Sequence, residues 1–378
     1  MSWIDVTYRV RGAPDEIGAI ATALALEQSV EVPAEVIRDA DVAENIVGRV
    51  DKIRDAGDGT HLVAIRLATA TTGGDVAQTI NMLFGNSSLH DHVELVDADF
   101  PPEFLARFPG PRFGIPGLRA LLAAPERPLT CAALKPQGLS PERLAALCYT
   151  LALAGVDVIK DDHGLADQDY APFRARVAAC QRAIERAHHE TGRRSLYAPS
   201  LVGSPVALAA QARVARAEGA GMVLVAPALV GMPAFAELVA GELGVPVLAH
   251  PAYAGAARVA PSFLLGKWFR LLGADATIFP NFGGRFAWSE RECKAIADSA
   301  RKPWAHLRTT LPVPGGGMSV ERSRDVVSCY GTDVMLLIGG SLLAAGDQLL
   351  ERSRTFVAAV HASAVTKASA GAELVARN

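Results

Sequence analysis

From residue 129 onward the chain repeats one pattern eight times: a short apolar run, then a longer amphipathic one. LTCAALKP precedes SPERLAALCYTLALAG, and VDVIKDDH precedes YAPFRARVAACQRAIERAHHETG. SLYAPSLVG, MVLVAPALVG, VPVLAHPA, ATIFPNFGG, AHLRTTLPVPGGG and VMLLIGGSLL each lead into a helical pattern in the same way. Runs that are apolar on both faces are what a parallel sheet covered on both sides requires. Eight such units predict a closed (β/α)8 barrel. The alternative, an open doubly wound sheet, usually announces itself with a GxGxxG first turn, and none is present.

Ahead of the repeat the style differs. IDVTYRV alternates as a strand does, DEIGAIATALALEQS has helical spacing, HLVAIRLATAT reads as a strand, and VAQTINMLFG reads as a helix stopped by Gly85. FPGPRFGIPG then reads as a boundary. Two domains are expected: an α+β domain over residues 1–115 and the barrel over 116–378.

Composition narrows the function. Half the residues are hydrophobic, enough for a large core, and the net charge of -3 carries no nucleic-acid footprint. No run of eighteen uninterrupted apolar residues suggests a membrane span. MSWIDVTYRVRG lacks the apolar core of a secretory signal, so a cytoplasmic location is expected. Cys131, Cys148, Cys180, Cys293 and Cys329 are scattered without a CxxC pair and read as buried small hydrophobes.

A barrel places its chemistry at the C-terminal ends of its strands. Strand one ends in Lys135, strand two in Lys160-Asp161-Asp162-His163, and strand five in His250. Strand six runs into Asn281 to Arg285, strand seven into Gly315 to Gly317, and strand eight into Gly339 and Gly340. Lys160 and Asp162 are two apart and share a face; Asp161 projects to the other. Lys160 and Asp162 with a neighbour form a partial cation shell, or else a lysine–aspartate ion pair with His163 as a cap. Lys135 reads either as a base of lowered pKa or as a lysine snorkelling to the rim. The paired glycine loops suit an oxyanion, although each alone reads as a turn. His250 reads as a core histidine or a site residue. Elsewhere, His188 and His189 read as surface residues, and His90 and His92 as a loop pair with no third ligand nearby.

GVDVIKDDHG, after ALKPQGLS and before LAHPAYAG and IGG, resembles the large subunit of ribulose bisphosphate carboxylase/oxygenase (RuBisCO). It is most similar to the RuBisCO-like proteins that do not fix carbon dioxide. The likeness spans nearly the whole chain, with ALEQSV and MLFGNSS in the first domain. It implies a ferredoxin-like α+β domain ahead of the barrel. Lys160 matches the lysine that carbon dioxide carbamylates; the carbamate, Asp162 and His163 would then hold Mg²⁺. Lys135 matches a lysine that moves protons, and Gly316, Gly317, Gly339 and Gly340 match glycines that bind one phosphate. Glu27 and Asn86 match residues that complete the partner subunit's site, implying a homodimer.

The departures point away from carboxylation. His163 stands where the family has a glutamate; its imidazole suits Zn²⁺, Mn²⁺ or Fe²⁺ better than Mg²⁺, and it could instead act as an acid/base group. KPKxGLS becomes Lys135 to Ser140 without its second lysine. Arg285 ends the loop where a carboxylase needs a lysine, and Pro251 follows His250 where the family grips its second phosphate with an arginine. The resemblance therefore implies a substrate with a single phosphate and an enediolate intermediate stabilised by the metal. Decarboxylation or carboxyl transfer with hydrolysis of 3-oxo-isoapionate 4-phosphate is the first expectation. Isomerisation of 5-methylthioribulose 1-phosphate is the second. A non-catalytic sugar-phosphate sensor is a third, disfavoured because Lys135, Lys160 and Asp162 are all kept.

Overall fold

A computed structural model describes residues 2–241 and 243–363, so the end of the expected barrel domain, 364–378, lies outside the described residues. The chain divides into two compact units. The first comprises Met1–Pro109 with Ala254–Leu264, the second the remainder. The division falls ahead of the 115/116 boundary expected from composition, because Phe113 and Gly114 are held within the second unit. Their backbone N–H groups both donate to Asp275, at 2.7 Å.

The first unit is a four-stranded antiparallel sheet of β1 (Trp3–Arg11), β2 (Arg49–Gly57), β3 (Thr60–Ala68) and β4 (Val93–Asp99), in the order β2-β3-β1-β4. Helices Ile17–Glu27 and Val76–Phe84 make the two crossovers, which gives the ferredoxin-like βαββαβ fold. The inward residues of β1 alternate: Ile4, Val6, Tyr8 and Val10 are all buried. Asp75 caps the second helix by accepting from the Gln78 N–H, and Gly85 ends it. β2 and β4 were not foreshadowed by apolar runs. β2, RVDKIRDAG, is an edge strand with both faces largely in solvent, so it carries no hydrophobic period.

The second unit is the (β/α)8 barrel. Its strands are β5 (Leu129–Leu134), β6 (Val158–Asp161), β7 (Leu196–Ala198) with β8 (Ser200–Leu201), β9 (Val223–Val225), β10 (Val247–Ala249), β11 (Ala276–Pro280), β12 (Leu311–Gly315) and β13 (Met335–Ile338). All ladders are parallel, running β13-β5-β6-β7 and β8-β9-β10-β11-β12. β7 and β8 are two halves of the third strand, interrupted at Pro199, which has no N–H to give.

The seam between β12 and β13 also has a proline cause. Successive N–H groups of a strand point to opposite edges. Leu311 bonds toward β11 through Asp275, so Pro312 and Pro314 fall on the edge facing β13 and donate nothing there.

The barrel interior is filled by alternate residues, among them Cys131 and Ala133 on β5, Val158 on β6, Leu248 on β10, Ile278 on β11 and Leu337 on β13. Helix Gly114–Leu121 plugs the N-terminal end with Ile115 and Leu118. Continuing the same alternation to the C-terminal ends brings up Lys135, Lys160 with Asp162, His250 and Gly339. The packing register thus aims these side chains at one end of the barrel axis.

Candidate active site

Lys160 sits on β6 opposite Ala133 of β5, inside the barrel and only 3% exposed. Its ammonium donates to the Asp161 carbonyl at 2.8 Å. Removal from water penalises the charge, and with the nearby Lys135 it pushes the Lys160 pKa down to about 8. Asp162 is 2% exposed and is the hub of the cluster. It forms an ion pair with Lys135, meets His163 Nδ1 at 3.1 Å and accepts the Gly164 N–H at 3.0 Å. Partial burial, with the charge of Arg285, also lowers the Lys135 pKa.

The two histidines are stacked, with ring centroids 4.2 Å apart and planes 12° from parallel. His250 Nδ1 accepts the Ala252 N–H at 3.0 Å, which puts its own ring proton on Nε2. His163 Nδ1 faces the Asp162 carboxylate, so in the neutral ring Nδ1 holds the proton and Nε2 carries the lone pair. Burial and the lysine charges lower both pKa values, His250 to about 2. At neutral pH the stack therefore offers one imidazole N–H as a hydrogen-bond donor and its neighbour's nitrogen as a lone-pair donor.

Asp161 has another task. It is fully buried on the outer face of the strand, where Arg176 Nε donates to it at 2.9 Å, Tyr197 Oη at 2.8 Å and the Ser200 N–H at 3.0 Å. Arg176 also donates to the Ala171 and Ala166 carbonyls, at 2.6 and 2.8 Å. The pair holds the loop after β6 in shape and fixes where Asp162 and His163 emerge. Spacing placed Asp161 on the opposite face but carried no signal for Arg176, fifteen residues on in a helix.

Arg285 emerges from the loop after β11. Its backbone N–H donates to the Gly316 carbonyl at 3.0 Å, which joins the loops after β11 and β12. A side chain on Gly317 would come within 2.6 Å of the Arg285 nitrogen, so this approach requires glycine. Gly339 lies beside Lys135, and the space around Gly340 is open. Ser341 Oγ donates to the Met318 carbonyl at 2.6 Å, tying the β13 loop to the β12 loop. Phe286, unmarked by any sequence period, lies against Gly316 with Arg285 stacked on its ring at 4.9 Å.

In the first unit, Asn86 Nδ2 donates to both Glu27 and Glu31, each at 2.9 Å, so the two expected partner-site residues converge. His90 and His92 are 5.3 Å apart between ring centres, and His188 and His189 are exposed. All five cysteines are free thiols, and burial pushes Cys131 up to about 12. Among the described residues no three His, Cys, Asp or Glu side chains group as a metal site. Asp162 and His163 supply one oxygen and one nitrogen donor. That set fits a divalent cation once a carbamate on Lys160 adds a third.

Barrel and cluster define the class: a (β/α)8 protein with acid–base groups gathered at the C-terminal mouth, as barrel enzymes have them. Comparison with known proteins makes this particular. Residues 114–349 match the ribulose bisphosphate carboxylase large chain, catalytic domain. The chain is 52% identical to ribulose bisphosphate carboxylase-like protein 1 of Rhodopseudomonas palustris, over 94% of this chain and 97% of that one. It is 48% identical to the 5-methylthioribulose-1-phosphate isomerase of Rhodospirillum rubrum, over 95% and 96%. The crystal structure of a Rubisco-like protein from Rhodopseudomonas palustris superposes with a TM-score of 0.89 at 46% identity, covering 95% of this chain and 98% of that chain. The chain belongs to the RuBisCO large-chain family, as a RuBisCO-like protein.

Proposed function

We propose that this protein isomerises a ketose monophosphate, 5-methylthioribulose 1-phosphate, by moving a proton between carbons through an enediolate, without adding carbon dioxide. The observation that carries this reading is the gathering of Lys135, Lys160, Asp162, His163 and His250 in one place. Two neutral imidazoles stand there with opposite hydrogen-bonding faces, beside a lysine of lowered pKa. The near-full-length relative named for this isomerisation supports the choice of substrate. It moves this reading ahead of the decarboxylation or hydrolysis of 3-oxo-isoapionate 4-phosphate.

The chain's own groups then divide the work. His250 Nε2–H donates to an oxygen of the substrate, Lys135 exchanges the proton at carbon, and the His163 Nε2 lone pair is left for the metal. Asp162 orients both by binding Lys135 and His163 Nδ1. Arg285 and the backbone around Gly316, Gly317, Gly339 and Gly340 take the phosphate. Lys160 as its carbamate, Asp162 and His163 would hold Mg²⁺, or Mn²⁺ in its place, and that ion would act as a Lewis acid on the substrate carbonyl. Two copies share each site, the second contributing Glu27 and Asn86.

The test is to incubate the protein with 5-methylthioribulose 1-phosphate, divalent metal and bicarbonate, and to follow substrate by phosphorus NMR and product by mass. A product of unchanged mass supports isomerisation. No turnover of this ketose, with loss of carbon dioxide from 3-oxo-isoapionate 4-phosphate, would restore the other reading.

A further inference from the structure

The loop after β11, from Asn281 to Phe286, carries Arg285 to the mouth of the barrel, and it is fastened from one side by a residue outside the acid–base cluster. Arg322 lies just before helix Ser323–Tyr330, beyond the glycines that follow β12. Its Nη1 donates to the Gly283 carbonyl at 2.6 Å and its Nη2 to the Phe282 carbonyl at 2.9 Å. The guanidinium also lies against the Phe282 ring, 5.7 Å from its centre. Charge-assisted bonds to two successive carbonyls hold a loop in orientation as well as in place.

The rest of the loop is fitted to this grip. At its root, the Asn281 N–H donates to the Gly315 carbonyl at 2.8 Å, and the buried Asn281 side chain accepts from Tyr330 Oη at 2.8 Å. Beyond the grip, the Arg285 N–H reaches the Gly316 carbonyl. The backbones touch so closely that a side chain on Gly284 would meet the Gly316 oxygen at 2.3 Å. The loop is thus bonded at both ends to the β12 segment, and Arg322 spans the stretch between.

We infer that Arg322 is a positioning residue that locks the β11 loop against the β12 loop, so that Arg285 stands ready for the anionic end of the substrate. A side chain that only capped its own helix would have no reason to bind two carbonyls of another loop. The inference rests on the proposed function for the identity of the substrate, whereas the locking of the loop can be read without it.

The test uses the full-length protein with Arg322→Ala, Arg322→Lys, Arg285→Ala and the double variant Arg285→Ala/Arg322→Ala. Trypsin cleavage after Arg285, located by mass spectrometry, should rise about tenfold in Arg322→Ala and less in Arg322→Lys. KM for 5-methylthioribulose 1-phosphate should rise about tenfold with kcat changed much less, and the double variant should be no worse than Arg285→Ala alone. Wild-type cleavage and KM in both Arg322 variants would overturn the inference, as would additive losses in the double variant. If Arg322→Ala does not fold, Arg322→Lys decides by the same readouts. If the wild-type protein turns over no ketose, the proposed function fails while the cleavage pattern still decides on Arg322.

Discussion

Lys160 is the residue on which the reading turns. A lysine buried inside a barrel is costly while charged, and here burial brings its pKa down to about 8. Only the neutral amine attacks carbon dioxide, and its fraction rises as pH climbs through that value. Uptake of ¹³C-labelled carbon dioxide on Lys160, followed by NMR, should therefore increase from pH 7 to pH 9 and be absent in Lys160→Met. Equal uptake in Lys160→Met would place the carbamate elsewhere. His163 is the other deciding residue. Parity along β6 showed that Lys160 and Asp162 share a face, but not whether His163 turns back toward them, because the strand ends at Asp161. The stack on His250 settles its place and could not be read from sequence, since the rings are 87 positions apart and meet only when β6 and β10 close into one barrel.

At the scale of the element, β6 is anchored at both ends by buried carboxylates. At its far end Asp161 and Arg176 form a fully buried pair. Removing one partner strands the other, so Arg176→Met should cost about 3–5 kcal/mol in urea unfolding. A loss below about 1 kcal/mol would show the pair to be dispensable. Just before the strand, Asp157 accepts two bonds from Arg127, at 2.6 and 2.8 Å, and the Thr130 N–H at 2.9 Å. Burial alone would raise its pKa, but Arg127 and His361 outweigh that and hold it below the usual carboxylate range. Such a group stabilises the fold above its unfolded pKa and loses that effect as pH falls through the folded one. Asp157→Asn should therefore cost about 2–3 kcal/mol at pH 7, a gap that narrows below about pH 4. An undiminished gap at low pH would contradict this. Neither anchor was marked in the sequence, because their arginines come from distant elements with no spacing that betrays them.

For the whole molecule, all eight barrel strands were legible, since strands buried on both faces must be apolar throughout. The polar edge strand β2 was not, because nothing buries it. Glu27 and Asn86 are hydrogen-bonded to each other, a contact the sequence did not show, and Glu31 joins them from a turn with φ of 55°. If each site is shared between two copies, inactive Glu27→Ala and Lys160→Met proteins should complement one another. Random mixing would restore about a quarter of wild-type turnover, because half the dimers are hybrid and each hybrid has one intact site. No recovery would confine each site to one chain.

Proton transfer through an enediolate without carboxylation leaves a mark that deuterium exchange reads. The wild-type protein, with Mg²⁺ and bicarbonate in D₂O, should convert 5-methylthioribulose 1-phosphate to an isomeric ketose phosphate. That product should carry deuterium at a carbon next to the carbonyl, and Lys160→Met should give none. A wild-type protein that neither exchanges nor converts this substrate, or that adds carbon dioxide to it, would contradict the account.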